Sequence, residues 1–183
     1  GMDALHIGGE IDLAYRISKN LTLEGMVSIG DWTWQSNETV VVLGDTSVLN
    51  AKGIHVGDAA QSSYAASLRY AFVKNGYIKI KYTYFDRYYS DFNPDDLTGT
   101  DVAIEPWIIP GYGLMSVHAG YGLKFEKSQL NFRANVFNAL NTTYISNARN
   151  NGHLDNSDTY DANSATVFIG QGLRFNVSVG FQF

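Results

Sequence analysis

The sequence predicts an all-β protein: an antiparallel up-and-down meander of about seven long strands forming part of a transmembrane β-barrel. Three observations carry that expectation. Apolar and polar residues alternate with period two over long stretches. Short and long connections alternate between those stretches. Aromatic residues collect toward the two ends of the apolar faces.

The first stretch, LHIGGEIDLAYRI, puts Leu5, Ile7, Ile11, Leu13, Tyr15 and Ile17 on one face and His6, Glu10, Asp12 and Arg16 on the other. A helical period would merge Glu10 and Asp12 with Leu5 and Leu13, so the strand reading wins. LTLEGMVSI follows with Leu21, Leu23, Val27 and Ile29, and SYAASLRYAF with Tyr64, Ala66, Leu68, Tyr70 and Phe72. YIKIKYTYFDRYY sets Ile78, Ile80, Tyr82 and Tyr84 against Lys79 and Lys81. MSVHAGYGLKF sets Met115, Val117, Ala119, Tyr121, Leu123 and Phe125 against His118 and Lys124. LNFRANV gives Leu130, Phe132, Ala134 and Val136, with Arg133 opposite. GLRFNVSVGFQF closes the series with Leu173, Phe175, Val177, Val179, Phe181 and Phe183. Several of these outlast the 5–6 residues, roughly, of an ordinary strand and reach the 9–11, roughly, that a tilted strand needs to cross a bilayer.

SKN, VKNG and EKSQ are tight connections, whereas 35–60, 93–110 and 141–170 are long. That asymmetry is characteristic of outer-membrane barrels. Near the short turns the apolar face carries Tyr15, Tyr70, Phe72, Tyr121, Phe125, Phe181 and Phe183; toward the other end stand Tyr64, Tyr82 and Tyr84. Such bands suit the two water–lipid interfaces. Trp32 and Trp34 have the wrong parity for the upper band. They join it only through a bulge near Gly30–Asp31, and otherwise face inward.

The 183 residues amount to one domain or a piece of something larger. Gly1 and Met2 read as a tag scar, leaving 3–183 as one barrel segment. The formal net charge of −5 excludes nucleic acid as an expected partner, because phosphate neutralisation needs a basic face. No apolar run is long enough for a membrane helix.

RANVFNALNTTYIS carries Asn138, Ala139, Leu140, Asn141 and Tyr144, and GQGLRFNVSVGFQF closes on Gly, Arg and a terminal Phe. Together these segments resemble the C-terminal barrel portion of TonB-dependent outer-membrane receptors, with Leu173 as one inserted residue between Gly172 and Arg174. VGDAAQSSYAASLRYAF and KYTYFDRYYSDF resemble the strand pair upstream of it in such receptors. The resemblance implies a plugged barrel of about 22 strands in the cell outer membrane. The whole receptor would import a scarce nutrient, such as a metal chelate, cobalamin or an oligosaccharide. Expected partners are then the lipid bilayer, the receptor's own N-terminal plug and remaining strands, and the TonB-type energy-transducing complex acting through the missing part. In that family the aromatic end, here Val179, Phe181 and Phe183, is a signal to the barrel-assembly machinery.

The long loops hold ten acidic and two basic residues, which leaves +3 on the strands and turns. Asp155, Asp158 and Asp161 invite a calcium reading but lack the glycine and closing glutamate of an EF-hand, so a solvated loop is expected. His6, His55, His118 and His153 show no metal-ligand spacing. No catalytic motif, cofactor or metal site is expected; for a surface protease or acyltransferase built on a small barrel the candidate is His118 with a lumenal carboxylate, set against a hydrogen-bonded lumen histidine. Trp107 and Tyr112, in EPWIIPGYG, form a candidate ligand or partner loop, set against packing on a neighbouring loop.

Two alternatives stand beside the receptor: a small complete outer-membrane barrel of about eight strands with a structural or adhesive role, and a soluble lipid-binding barrel. An isolated seven-stranded sheet is expected to hide its apolar face by pairing with another copy or by curling, with Leu173, Val177 and Phe181 turned inside.

Overall fold

A computed structural model describes residues 1–42, 44–92, 97–98, 103–150 and 160–183. Seven long strands form one sheet: β1 (Ala4–Arg16), β2 (Leu21–Trp34), β5 (Ala60–Val73), β6 (Gly76–Tyr89), β8 (Tyr112–Lys124), β9 (Gln129–Phe137) and β12 (Arg174–Gln182). They lie side by side in that order. The two-residue β7 (Ile108–Ile109) pairs with the end of β6.

The alternation is written across the whole sheet. One register row reads Tyr15, Leu23, Leu68, Ile80, Val117, Val136, Phe175, apolar in all seven strands. The adjacent row reads Arg16, Thr22, Arg69, Lys79, His118, Asn135, Asn176, polar in all seven. A slip of one residue at any pair would turn a whole strand over, so this continuity fixes the register. The β1–β2 pairing runs unbroken from Ala4↔Trp34 to Arg16↔Thr22. Without a bulge, Trp32 and Trp34 face inward: Trp32 stacks on His6 at 5.1 Å, and Trp34 meets Phe92 edge-on at 6.3 Å. The inserted Leu173 leaves β12 in continuous register with β9.

Every neighbouring pair on the path is antiparallel, so β1 and β12 run the same way. Joining them would need a parallel pair, and the sheet stays open. The expected curling with inversion does not occur: Leu173, Val177 and Phe181 are all exposed.

Tight turns close one end. Ile17 N–H donates to Leu21 O at 2.9 Å, and Phe125 N–H to Ser128 O at 2.8 Å. Between β5 and β6, Asn75 takes φ of 64°, which Asn tolerates better than most residues. The long connections carry hairpins of their own, β3 (Glu38–Val42) with β4 (Asp45–Leu49) and β10 (Ile145–Asn150) with β11 (Ala165–Ile169). The dry core lies here, not beneath the sheet. Leu49, Ala51, Ile54, Phe92, Leu97, Ile104 and Tyr160 cluster together, with Trp34 and Trp107 packed against them.

The NALN segment ends β9 and pins the start of β12. Asn138 and Asn141 both take positive φ, 47° and 51°. Asn138 Nδ2 donates to Thr142 O and Gln171 O at 2.8 and 3.1 Å, and Leu173 N–H donates to Asn141 Oδ1 at 3.0 Å. Two asparagines thus satisfy backbone groups of both segments at a point where strand pairing stops.

Candidate functional site

The sheet has two chemically distinct faces and neither is covered. On the apolar face Tyr64, Tyr70, Phe72, Tyr82, Tyr84, Tyr121 and Phe125 are exposed, and so is Tyr15 on the open edge strand β1. Phe181 stacks on Phe183 at 5.8 Å beside the other open edge, and Val179 shares their face. An exposed apolar surface running across seven strands far exceeds the patches that a monomer leaves in water.

The polar face is wired by hydrogen bonds between strands. Lys79 Nζ donates to Glu24 Oε2, which also accepts from Ser67 Oγ at 2.7 Å, linking β2, β5 and β6. Asn176 Oδ1 accepts from Asn135 Nδ2 at 2.7 Å; Asn135 Oδ1 lies 2.8 Å from His118 Nδ1, whose Nε2 is 3.1 Å from Ser116 Oγ. His118 therefore sits in an amide–hydroxyl ladder, with no carboxylate among these partners. Arg69 lies over the Tyr77 ring at 4.6 Å and Arg174 over Phe137 at 5.2 Å. A recess of about 420 Å³ opens on this face among Glu10, Asp12, Glu24, Ser67, Lys79 and Lys81. Acidic side chains gather on β1–β2 and basic ones on β5–β12, so this wall is electrically polarised along the sheet.

At the loop end the polar face meets a second cluster. Both ring nitrogens of His55 face carboxylates: Nδ1 contacts Glu105 Oε1, and Nε2 lies 3.2 Å from Asp31 Oδ1. Arg87 Nη2 reaches the same Asp31 oxygen at 3.2 Å and its Nη1 donates to Gly30 O at 2.7 Å. Tyr89 stacks on the His55 ring at 4.1 Å and 3°. These contacts join residues 24 to 57 apart in sequence, so local spacing carries no trace of them. Among the described residues no group of His, Asp and Glu has the arrangement of a metal site.

Trp107 and Tyr112 occupy different settings. Trp107 packs on the loop core and its carbonyl accepts from Ser90 N–H at 2.8 Å. Tyr112 opens β8, stacked on Tyr144 at 4.4 Å and near Phe85 at 5.2 Å. Asp161 caps the 3-10 turn Ala162–Ser164, accepting from Asn163 and Ser164 N–H at 2.8 and 3.1 Å, and these bonds hold its carboxyl below the usual range. Asp155, Asp158 and His153 lie outside the described residues. Burial, reinforced by the nearby Asp58, pushes the Asp91 carboxyl up.

These features together describe an open antiparallel meander sheet with one polar and one apolar face, tight turns at one end and built loops at the other. No family model matches the sequence, and no curated protein matches it. Among solved structures the chain is similar to the crystal structure of the siderophore receptor PiuA from Acinetobacter baumannii. The TM-score is 0.62 at 13% identity, over 98% of this chain and 22% of that one. The chain therefore has the fold of part of a receptor barrel and spans about a fifth of that receptor's length. Among the described residues no helix is long and apolar enough to cross a membrane, a statement that leaves β-strands untouched.

Proposed function

We propose that this chain forms the C-terminal part of the outer-membrane barrel of a TonB-dependent receptor that imports a scarce nutrient. The observation that carries the reading is the pair of adjacent register rows, one apolar and one polar across seven strands, in a sheet left open at both edges. An open edge exposes unpaired backbone groups, and in a bilayer every such group needs a partner. Because seven strands end running as they began, an odd number of further strands closes an all-antiparallel barrel. Those strands, and a plug against the polarised inner wall, are contributed by the rest of the receptor. Energy from a TonB-type complex reaches the barrel through that plug, while Val179, Phe181 and Phe183 present the assembly signal. The exposed apolar face also favours this reading over a soluble lipid carrier, whose apolar face would line the inside.

The test is fractionation of the whole receptor containing this chain, followed by uptake in cells with and without the inner-membrane energy source. Recovery in the outer membrane and energy-dependent uptake support the reading. Recovery as a detergent-free soluble protein overturns it.

A further inference from the structure

The polar face carries its charge unevenly, and one cation on it has no partner within the chain. Its strand carboxylates, Glu10, Asp12 and Glu24, all stand on β1 and β2. Arg69, Lys79, Lys81, Lys124, Arg133 and Arg174 share that face on β5 to β12. Lys79 holds Glu24, and Arg69 and Arg174 lie over aromatic rings. Arg133, at the centre of β9, differs. Among the described residues its guanidinium makes no hydrogen bond, ion pair or ring contact.

We propose that Arg133 and the Tyr77 hydroxyl together form a seat for a carboxylate side chain on a peptide segment packed against the polar face. The proposal rests on the reading of this face as the inner wall of a larger barrel. Register puts Tyr77, Gly120, Arg133 and Ser178 in one row across β6, β8, β9 and β12. The Tyr77 ring lies over Gly120, where a Cβ would stand 2.5 Å from Cε1 and 3.2 Å from the hydroxyl. The phenol tip therefore ends over β8, one strand from Arg133, and among the described residues it too has no hydrogen-bond partner. Recesses of about 300 and 180 Å³ open on the β8 and β12 sides of Arg133, over Gly122 and Gly180.

The neighbouring acceptors are already engaged. Asn131 Oδ1 accepts from Gln129 Nε2 at 2.6 Å, Asn135 serves His118 and Asn176, and Glu24 serves Lys79 and Ser67. A guanidinium is a planar fork that matches a carboxylate through two parallel N–H···O bonds, and the phenol supplies a third donor. Covering Arg133 without such a partner would leave an unpaired charge out of water, which is costly. The charge pattern of the whole face selects a polypeptide over a free anion. A segment with acidic residues over β8–β12 and basic residues over β1–β2 matches both ends, whereas a small anion matches one.

Zero-length cross-linking of the whole protein containing this chain tests the seat. A water-soluble carbodiimide condenses a lysine amine with a carboxylate in contact, so the Arg133→Lys protein should join its 129–137 strand to an acidic peptide from outside residues 1–183. Lys79 and Glu24 supply the internal control, because their cross-link forms only if the sheet is assembled. The control cross-link without one at position 133, or a cross-link from 133 to an acid within 1–183, overturns the proposal. The unsubstituted protein gives a second measurement that needs no variant. A charge-assisted hydrogen bond of about 1.5–3 kcal/mol should make Arg133 react with an arginine-selective dicarbonyl about tenfold or more slowly in the folded protein than after denaturation. Equal rates overturn the proposal. Failure of both measurements in a protein recovered from the outer membrane removes the seat alone, whereas a detergent-free soluble protein removes the reading beneath it.

Discussion

Ile80 sits at the centre of the apolar register row, paired with Leu68 on one side and Val117 on the other, and its side chain is exposed. Replacing it by Arg changes little in a water-facing strand, where surface substitutions usually cost within about 0.5 kcal/mol. In a bilayer the guanidinium must be stripped of water or dragged to an interface. A charged residue at the mid-depth of a lipid-facing barrel strand costs about 2–4 kcal/mol. That corresponds to a loss of roughly 30- to 700-fold in the folding equilibrium. The neighbouring Lys81 faces the other way, beside Ser67 and Ser116, and Lys81→Gln should cost less than about 1 kcal/mol. The assay is reversible denaturant unfolding of the whole protein containing this chain in lipid vesicles, with both variants measured alongside wild type. Equal destabilisation by the two substitutions, or a smaller cost for Ile80→Arg, would refute the assignment of faces.

Other consequences follow from the same contacts. Glu24 and Lys79 are each partly exposed, so a double-mutant cycle using Glu24→Gln and Lys79→Gln should return a coupling of about 0.5–1 kcal/mol, screened by salt. Ile109 is fully buried in the loop layer, and Ile109→Ala should cost about 2–4 kcal/mol, read as faster proteolysis in the loops before the sheet unfolds. Asp91 is held above its usual carboxylate range, so the folded state binds its proton more readily than the unfolded chain. Its contribution is then fully present in acid and lost as pH rises through the folded value. Asp91→Asn should therefore stabilise the loop layer near neutral pH and change little in acid, measured by thermal unfolding at several pH values. Asp161 behaves oppositely: its cap is complete above the usual carboxylate range and is lost as pH falls through its lowered value. Exchange at the Asn163 and Ser164 N–H groups should therefore show weaker protection in strong acid.

Much of the sheet was legible because period-two patterning is a local property. Tyr15, Leu68 and Val177 announce their face through residues two positions away, and Asn75 announces its turn. The parity of Trp32 and Trp34 was ambiguous in sequence, since one bulge would reverse it; the unbroken pairing of β1 with β2 resolves it. The loop layer was not legible. TVVVLGDTSVL lacks sustained alternation, yet Glu38–Val42 and Asp45–Leu49 pair because their partners lie a few residues away and the core of Leu49 and Ile54 supports them. His55, Asp31 and Glu105 come from three separate segments and meet only once β2, β5 and β6 are assembled in one sheet, with two long loops folded over them. Of the two expected ways of hiding the apolar face, pairing with another copy or curling the sheet, curling fails on strand direction. With β1 and β12 running the same way, antiparallel closure was never open to it.

The central claim is that one face of this sheet meets lipid and the other meets water, and the chain's lack of cysteine makes it directly testable. Single cysteines placed one at a time along β6, from Tyr77 to Tyr84, can be probed with a charged maleimide in membranes that contain the whole protein. The account predicts labelling at Tyr77, Lys79, Lys81 and Thr83 and protection at Ile78, Ile80, Tyr82 and Tyr84. Uniform labelling, or labelling in the opposite phase, would contradict it.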